Sequence, residues 1–309
     1  MKRRVTQAVL LATFAFAVTG ILCWPTVLKY LVQSNLQNVR KQGTSMSWSG
    51  LSTGMTSAAV EIITVWIPGP RVKGNFRVPI SVELQNVAVA LRLTSLLSLN
   101  PAISFSTALY GGTLQVEAQS TGEGAHLEAH MENVEIGRHP QIASLGVRGG
   151  TISGTLQGLD ITPQGPTGGT FSFTLRSLTP PTLDVAKSLL RVEEFGAFDL
   201  EATGTLSSAA IELPKIHLTS MFGEISGKLT ATKHLSPTPK LDGQFDVSLS
   251  EKGSSTLGAW LPLIPGAGLD SSTTKFAVKA ASVSCSNIRG SSTVLNLGNG
   301  CVKLVFAKN

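Results

Sequence analysis

The chain has 309 residues, of which 42% are hydrophobic and only 14% charged, with 31 glycines and a formal charge of +6. Globular domains usually carry about a quarter charged residues, so Thr, Ser and Gln must build much of this surface. With Val, Leu and Ile these are strand residues, and the Glu, Lys and Ala surplus of helical proteins is missing. The positive charges form no stripe outside Lys2-Arg3-Arg4, and the few aromatics are not interleaved with Arg or Lys, which argues against nucleic acid.

Val5 to Trp24 follow the basic tip without a single charge. A helix of that length just spans a bilayer core. Three positive charges before it and only Lys29 soon after it place the N-terminus in the cytoplasm and the body outside. An uncleaved anchor is the best reading. A signal-peptide cut at Ala15-Phe16-Ala17 would fall mid-run, and Leu22 is the wrong size for lipoprotein processing at Cys23. Pro25 ends the run, and from Thr26 to Lys41 apolar residues recur at three- and four-residue spacing, as in an amphipathic helix. The division is therefore 1–24 cytoplasmic tip and transmembrane anchor, 25–43 amphipathic helix and linker, 44–309 β-rich body.

The body alternates with a period of two, the mark of half-buried strands. Ala58 to Ile67 and Asn86 to Leu93 read as strands. Pro101 to Gln119 reads as a hairpin turning at Tyr110-Gly111-Gly112. In Gly124 to Glu132, Ala125, Leu127, Ala129 and Met131 share one face, and His126, Glu128, His130 and Glu132 the other, so one side of the sheet is wet. The pattern recurs at Ile152–Leu156, Phe171–Leu175, Phe198–Leu206, Ile225–Leu229, Phe245–Leu249 and Phe276–Ala280. A change of phase across Pro214 predicts a bulge or a break on an edge. Thr182 to Glu194 and a short Ser255 to Leu263 read as helices. The fold class is mainly β: a curled, Gly-rich antiparallel meander with one apolar face, closed on itself or open as a groove. Leu114, Val116, Leu127, Phe171, Phe173, Leu200 and Phe245 are the candidate groove residues.

Nothing in the chain argues for catalysis. Gly50-Leu51-Ser52-Thr53-Gly54 matches GxSxG, but a nucleophile elbow needs a buried strand before it and a helix after it. His126 and His130 are about 13 Å apart along a strand, too far to share a metal. No phosphate loop, dinucleotide fingerprint, HExxH or EF-hand motif occurs, and no cofactor is expected. Without a CxxC a zinc site is unsupported. Cys285 and Cys301 are either a disulfide on neighbouring strands or two small buried hydrophobes.

The anchor, the amphipathic helix, the segment Pro79-Ile80-Ser81-Val82-Glu83-Leu84 to Leu97, and Leu109-Tyr110-Gly111-Gly112-Thr113-Leu114 resemble the type II secretion system protein N family, GspN. The Gly-rich strand style is similar to the broader AsmA-like group of envelope proteins. The resemblance implies a bacterial inner-membrane protein with a periplasmic body, a non-enzymatic accessory of the general secretion pathway whose partners are other inner-membrane components. The AsmA-like alternative is a lipid-binding or lipid-transfer protein that presents an apolar groove to phospholipid.

Overall fold

The computed structural model describes residues 45–67, 71–72, 76–77, 80–92, 100–122, 124–144, 147–162, 165–179, 184–185, 190–191, 196–232, 240–259, 261–264, 268–283, 294–296 and 301–308. The expected anchor at Val5–Trp24 and the amphipathic helix at Thr26–Lys41 lie outside these residues.

The architecture is mainly β. The first strands are β1 (Ser45–Ser49), β2 (Ser52–Thr53), β3 (Ser57–Ile67), β4 (Arg71–Val72), β5 (Phe76–Arg77) and β6 (Ile80–Arg92). They are followed by β7 (Ala102–Leu109), β8 (Gly112–Thr121), β9 (Gly124–Glu135), β10 (Arg148–Thr162), β11 (Gly165–Thr179), β12 (Asp184–Val185) and β13 (Leu190–Arg191). The last are β14 (Phe198–Leu206), β15 (Ala210–Ser220), β16 (Gly223–Thr232), β17 (Lys240–Leu249), β18 (Lys275–Val283), β19 (Val294–Asn296) and β20 (Cys301–Lys308). The main sheet is 16-stranded, in the order β1-β3-β6-β7-β8-β9-β10-β11-β14-β15-β16-β17-β18-β20-β19, with β2 beside β3. Neighbours in the sheet are mostly neighbours in sequence, so this is the antiparallel meander that the alternation predicts. Among the described residues two short helices, α1 (Pro140–Ser144) and α2 (Glu251–Leu257), and two 3-10 turns interrupt it.

Chain contacts divide the protein into two compact units, the first holding the residues up to Leu109 and Thr113–Gln119, the second Tyr110–Gly112 and everything from Ser120. In the first, Val60, Ile63 and Val87 are buried, with Trp48, Leu84, Val89 and Phe105 packed on them. Leu84 and Val87 meet on one side despite their odd spacing because Asn86 has φ 51 and the register with β7 shifts between Gln85 and Ala88, the mark of a bulge. Buried Thr107 supports the bulge, its hydroxyl donating to the Gln85 carbonyl at 2.9 Å. The turn after β7 has φ 46 at Tyr110 and 86 at Gly111. Two successive positive φ values make a type I′ turn, the connection whose twist suits a hairpin.

In the second unit the strand faces segregate as expected: Glu128, His130 and Glu132 of β9 are exposed, while Leu127, Ala129 and Met131 are half-buried. Three expectations are corrected. The phase change at Pro214 is a bulge between Leu213 and Ile216, but β15 is paired on both sides and is no edge strand. Exposed Pro214 fits there because a bulge leaves one residue out of the ladder. Within Thr182–Glu194 the described residues pair instead as antiparallel β12 and β13, with Asp184 opposite Arg191 and Val185 opposite Leu190. A short apolar run does not by its spacing distinguish strand from helix. The helix expected at Ser255–Leu263 spans Glu251–Leu257, because Ser250 caps it and its hydroxyl accepts from Gly253 N at 3.0 Å.

Candidate apolar binding site

The alternation places apolar residues on one face of each strand, and the register decides which of them meet. In the second unit they meet in rows. Val134, Ile152, Leu175, Leu200, Leu218, Ile225, Val247 and Phe276 are successive cross-strand partners from β9 to β18, and Lys308 of β20 ends the row. At about 4.8 Å per strand step this row runs about 33 Å. A parallel row runs Met131, Gly154, Phe173, Ala202, Ile216, Gly227, Phe245, Val278 and Phe306.

Glycine has a second use on this face beyond bending the sheet. Phe171 stands opposite Gly204, and Phe245 opposite Gly227. A Cβ on Gly204 would lie 2.7 Å from Phe171 Cζ, and one on Gly227 would lie 2.6 Å from Phe245 Cδ1. Each ring therefore lies over bare backbone, shielding a glycine that would otherwise leave a hole in the strand.

The face is only partly covered. Of the candidate residues, Leu114 and Val116 belong to the first unit, and Leu127, Phe171, Phe173, Leu200 and Phe245 to the second. All seven are half-buried, and no large side chain among the described residues is under 2% exposed. The five in the second unit share its apolar face, but they do not line the cavity found there.

That cavity, about 500 Å³, lies towards the β16–β18 end of the face. Its walls include Leu218, Ile225, Val247, Phe276, Val278 and Phe306. Its cap is built from two connections. Phe222, in the β15–β16 turn, is 4% exposed, and Leu257 comes from α2. Ser250 ties the two together, its N–H donating to Phe222 O at 2.9 Å and its hydroxyl to Met221 O at 2.7 Å. Gly253 lies so close to the Phe222 carbonyl that no side chain fits between them. Leu261, Leu269 and Phe276 form the buried cluster beneath, with Val247, Leu249 and Phe306 against it. The wall residues are visible in the strand pattern, whereas Phe222 sits in a turn that no period marks, and the short helix read at Ser255–Leu263 does not show that Leu257 meets it.

The charged groups near this end are mostly engaged. Asp270 accepts from Lys308 Nζ at 2.8 Å and from the hydroxyls of Ser272 and Thr273. The lysine first, then the hydroxyls, holds its carboxyl well below the usual carboxylate range. Lys252 on α2 is different: its ammonium lies 5.9 Å from the centroid of the Phe222 ring, a cation–π distance.

On the opposite face, charged side chains pair with one another. His126 Nδ1 is 2.8 Å from Asp160 Oδ1, and this bond raises the imidazole pKa, with Glu128 a smaller cause. Arg176 pairs with Glu201 and, at 3.4 Å, with Asp199. Among the described residues no group of three His, Cys, Asp or Glu could hold a metal. Ser52 lies in β2, paired with Ala59, and β3 follows where an elbow would need a helix. His139 is buried beneath Tyr110, ring centroids 5.2 Å apart, and its Nδ1 has no hydrogen-bond partner. Cys301 is disulfide-bonded, and Cys285 lies outside the described residues. No helix of the described residues is long and apolar enough to cross a membrane. No family model, curated protein or solved structure matches the chain.

Proposed function

We propose that the protein is a non-enzymatic component of the bacterial envelope that receives hydrocarbon chains, such as those of phospholipids, on the apolar face of its second unit. The supporting observation is the row from Val134 to Phe276, in register over eight strands and half-buried at Ile152, Leu200, Leu218, Ile225 and Val247, which leads to a cavity of about 500 Å³. A cavity of that size is within the range of small-molecule sites, and its walls are almost wholly apolar. In this reading residues 5–24 hold the protein in the inner membrane with its body in the periplasm. Lipid extraction and mass spectrometry of the protein purified from membranes, before and after Val247→Lys, test it. Bound lipid that disappears with the variant is expected, and lipid bound equally by both would overturn the assignment to this face.

A second reading, an accessory of the type II secretion apparatus, is favoured by the resemblance around Leu109–Leu114 and by β1, which has β3 as its one strand partner among the described residues. Such an edge can accept a partner strand. Cysteine crosslinking from Ser47 in cells would then capture an inner-membrane secretion component.

A further inference from the structure

The cavity has an apolar body, and the ammonium of Lys252 is held against its cap. We propose that it takes one acyl chain whose anionic head is bound by Lys252. This rests on the reading that the face receives hydrocarbon chains, and adds which kind of amphiphile enters.

Three observations carry it. The cavity's approximate volume of 500 Å³ is bounded by Val247, Phe276, Val278 and Phe306, and such a dry lining suits hydrocarbon and rejects a head group. A head group must therefore stay at the cap, where α2 and the Phe222 turn meet. There Lys252 rests its ammonium over the ring of Phe222, itself a wall of the cavity. Lys252 is exposed, and a lysine stem can lie along apolar surface while its charge stays in water.

Other charges lie at the same end, among them Lys275, which adjoins Phe276 and stands opposite Ser248 of the lining. Lys308 is held by Asp270 at 2.8 Å. Glu224 borders the cavity together with its row partner Ser248, but it is exposed and alternates along the strand with the wall residue Ile225. Glu251 precedes Lys252 on the helix and projects about 100° away around its axis. A carboxylate or phosphate at the head of the chain would exchange a weak ring contact for a charge-assisted hydrogen bond.

The test is photolabelling of the full-length protein in phosphatidylcholine nanodiscs with two probes, a diazirine hexadecanoic acid and the matching diazirine hexadecanol. Labelled peptides are mapped by mass spectrometry. The acid is expected to label peptides from β16 to β18 about five- to tenfold more than the alcohol. Lys252→Gln removes that preference without changing labelling by the alcohol, and Lys252→Arg keeps it. Equal labelling by the two probes, or an equal loss of both in Lys252→Gln, overturns the assignment of the head group and leaves the apolar reading standing. No labelling of β16–β18 by either probe overturns both. A diazirine lysophosphatidic acid distinguishes a carboxylate from a phosphate as the preferred head.

Discussion

Phe245 gives the sharpest test of how the apolar face is packed, because two glycines crowd its ring in different ways. A Cβ added to Gly243 would lie 2.8 Å from Phe245 Cε2 and 3.1 Å from Leu229 Cδ1, and its nearest neighbours are all side-chain atoms. Carbon atoms prefer about 3.5–4.0 Å, so the ring must give way by about 0.7 Å. Overpacking of this kind costs about 1–3 kcal/mol, against a gain of about 0.5–1 kcal/mol for replacing a strand glycine by alanine. Gly243→Ala alone should therefore destabilise by about 0.5–2 kcal/mol. In a Phe245→Leu background the obstructing ring atoms are gone, and the same change should be neutral or stabilising. The expected coupling is about 1–3 kcal/mol. At Gly227 the added carbon would also meet the Gln244 carbonyl oxygen, which is backbone, so Phe245→Leu should not rescue Gly227→Ala. Urea unfolding of the full-length protein and the five variants (three single, two double), at unchanged m-value, reads these differences. Additivity within about 0.5 kcal/mol at Gly243, or equal rescue at Gly227, refutes the reasoning.

Phe276→Ala should cost about 3–5 kcal/mol in the same assay, because the ring is 6% exposed at the centre of the cluster beneath the cavity. Thr107→Val should cost about 1–2 kcal/mol, since it strips the hydroxyl from the Gln85 carbonyl at the β6 bulge. In NMR titration His126 should show a midpoint above 6.5, returning towards that value in Asp160→Asn. Because its folded pKa is raised, the stabilisation from this pair is complete below pH 6.5 and lost as pH rises through the folded midpoint. Stability that instead grew across that window would contradict the pairing.

Much of the candidate site is legible strand by strand. Leu127, Phe171, Phe173, Leu200 and Phe245 fall on the apolar face that their alternation assigns them, because side-chain direction in a strand depends only on parity. The Tyr110-Gly111-Gly112 turn is legible for a similar reason: positive φ is a local demand that glycine meets. The cavity is different, since two of its capping groups, Phe222 and Leu257, come from a turn and a short helix joined through Ser250. The turn carries no period, the short helix does not say what it packs against, and the hydrogen bonds that unite them link residues 28 or 29 positions apart.

The sequence by itself determined the mainly β class, the wet and apolar sides of each strand, and the change of phase at Pro214. All of these follow from backbone geometry within a few residues. Tertiary structure alone decided that β15 lies inside the sheet and that Asp184 pairs with Arg191. It also decided that Phe171 and Phe245 lie over glycines, and that eight apolar residues align into one row ending at Lys308. Those outcomes depend on register, and register is set by turns and bulges acting between strands: a slip of one residue would have kept every alternation and put each side chain on the other face.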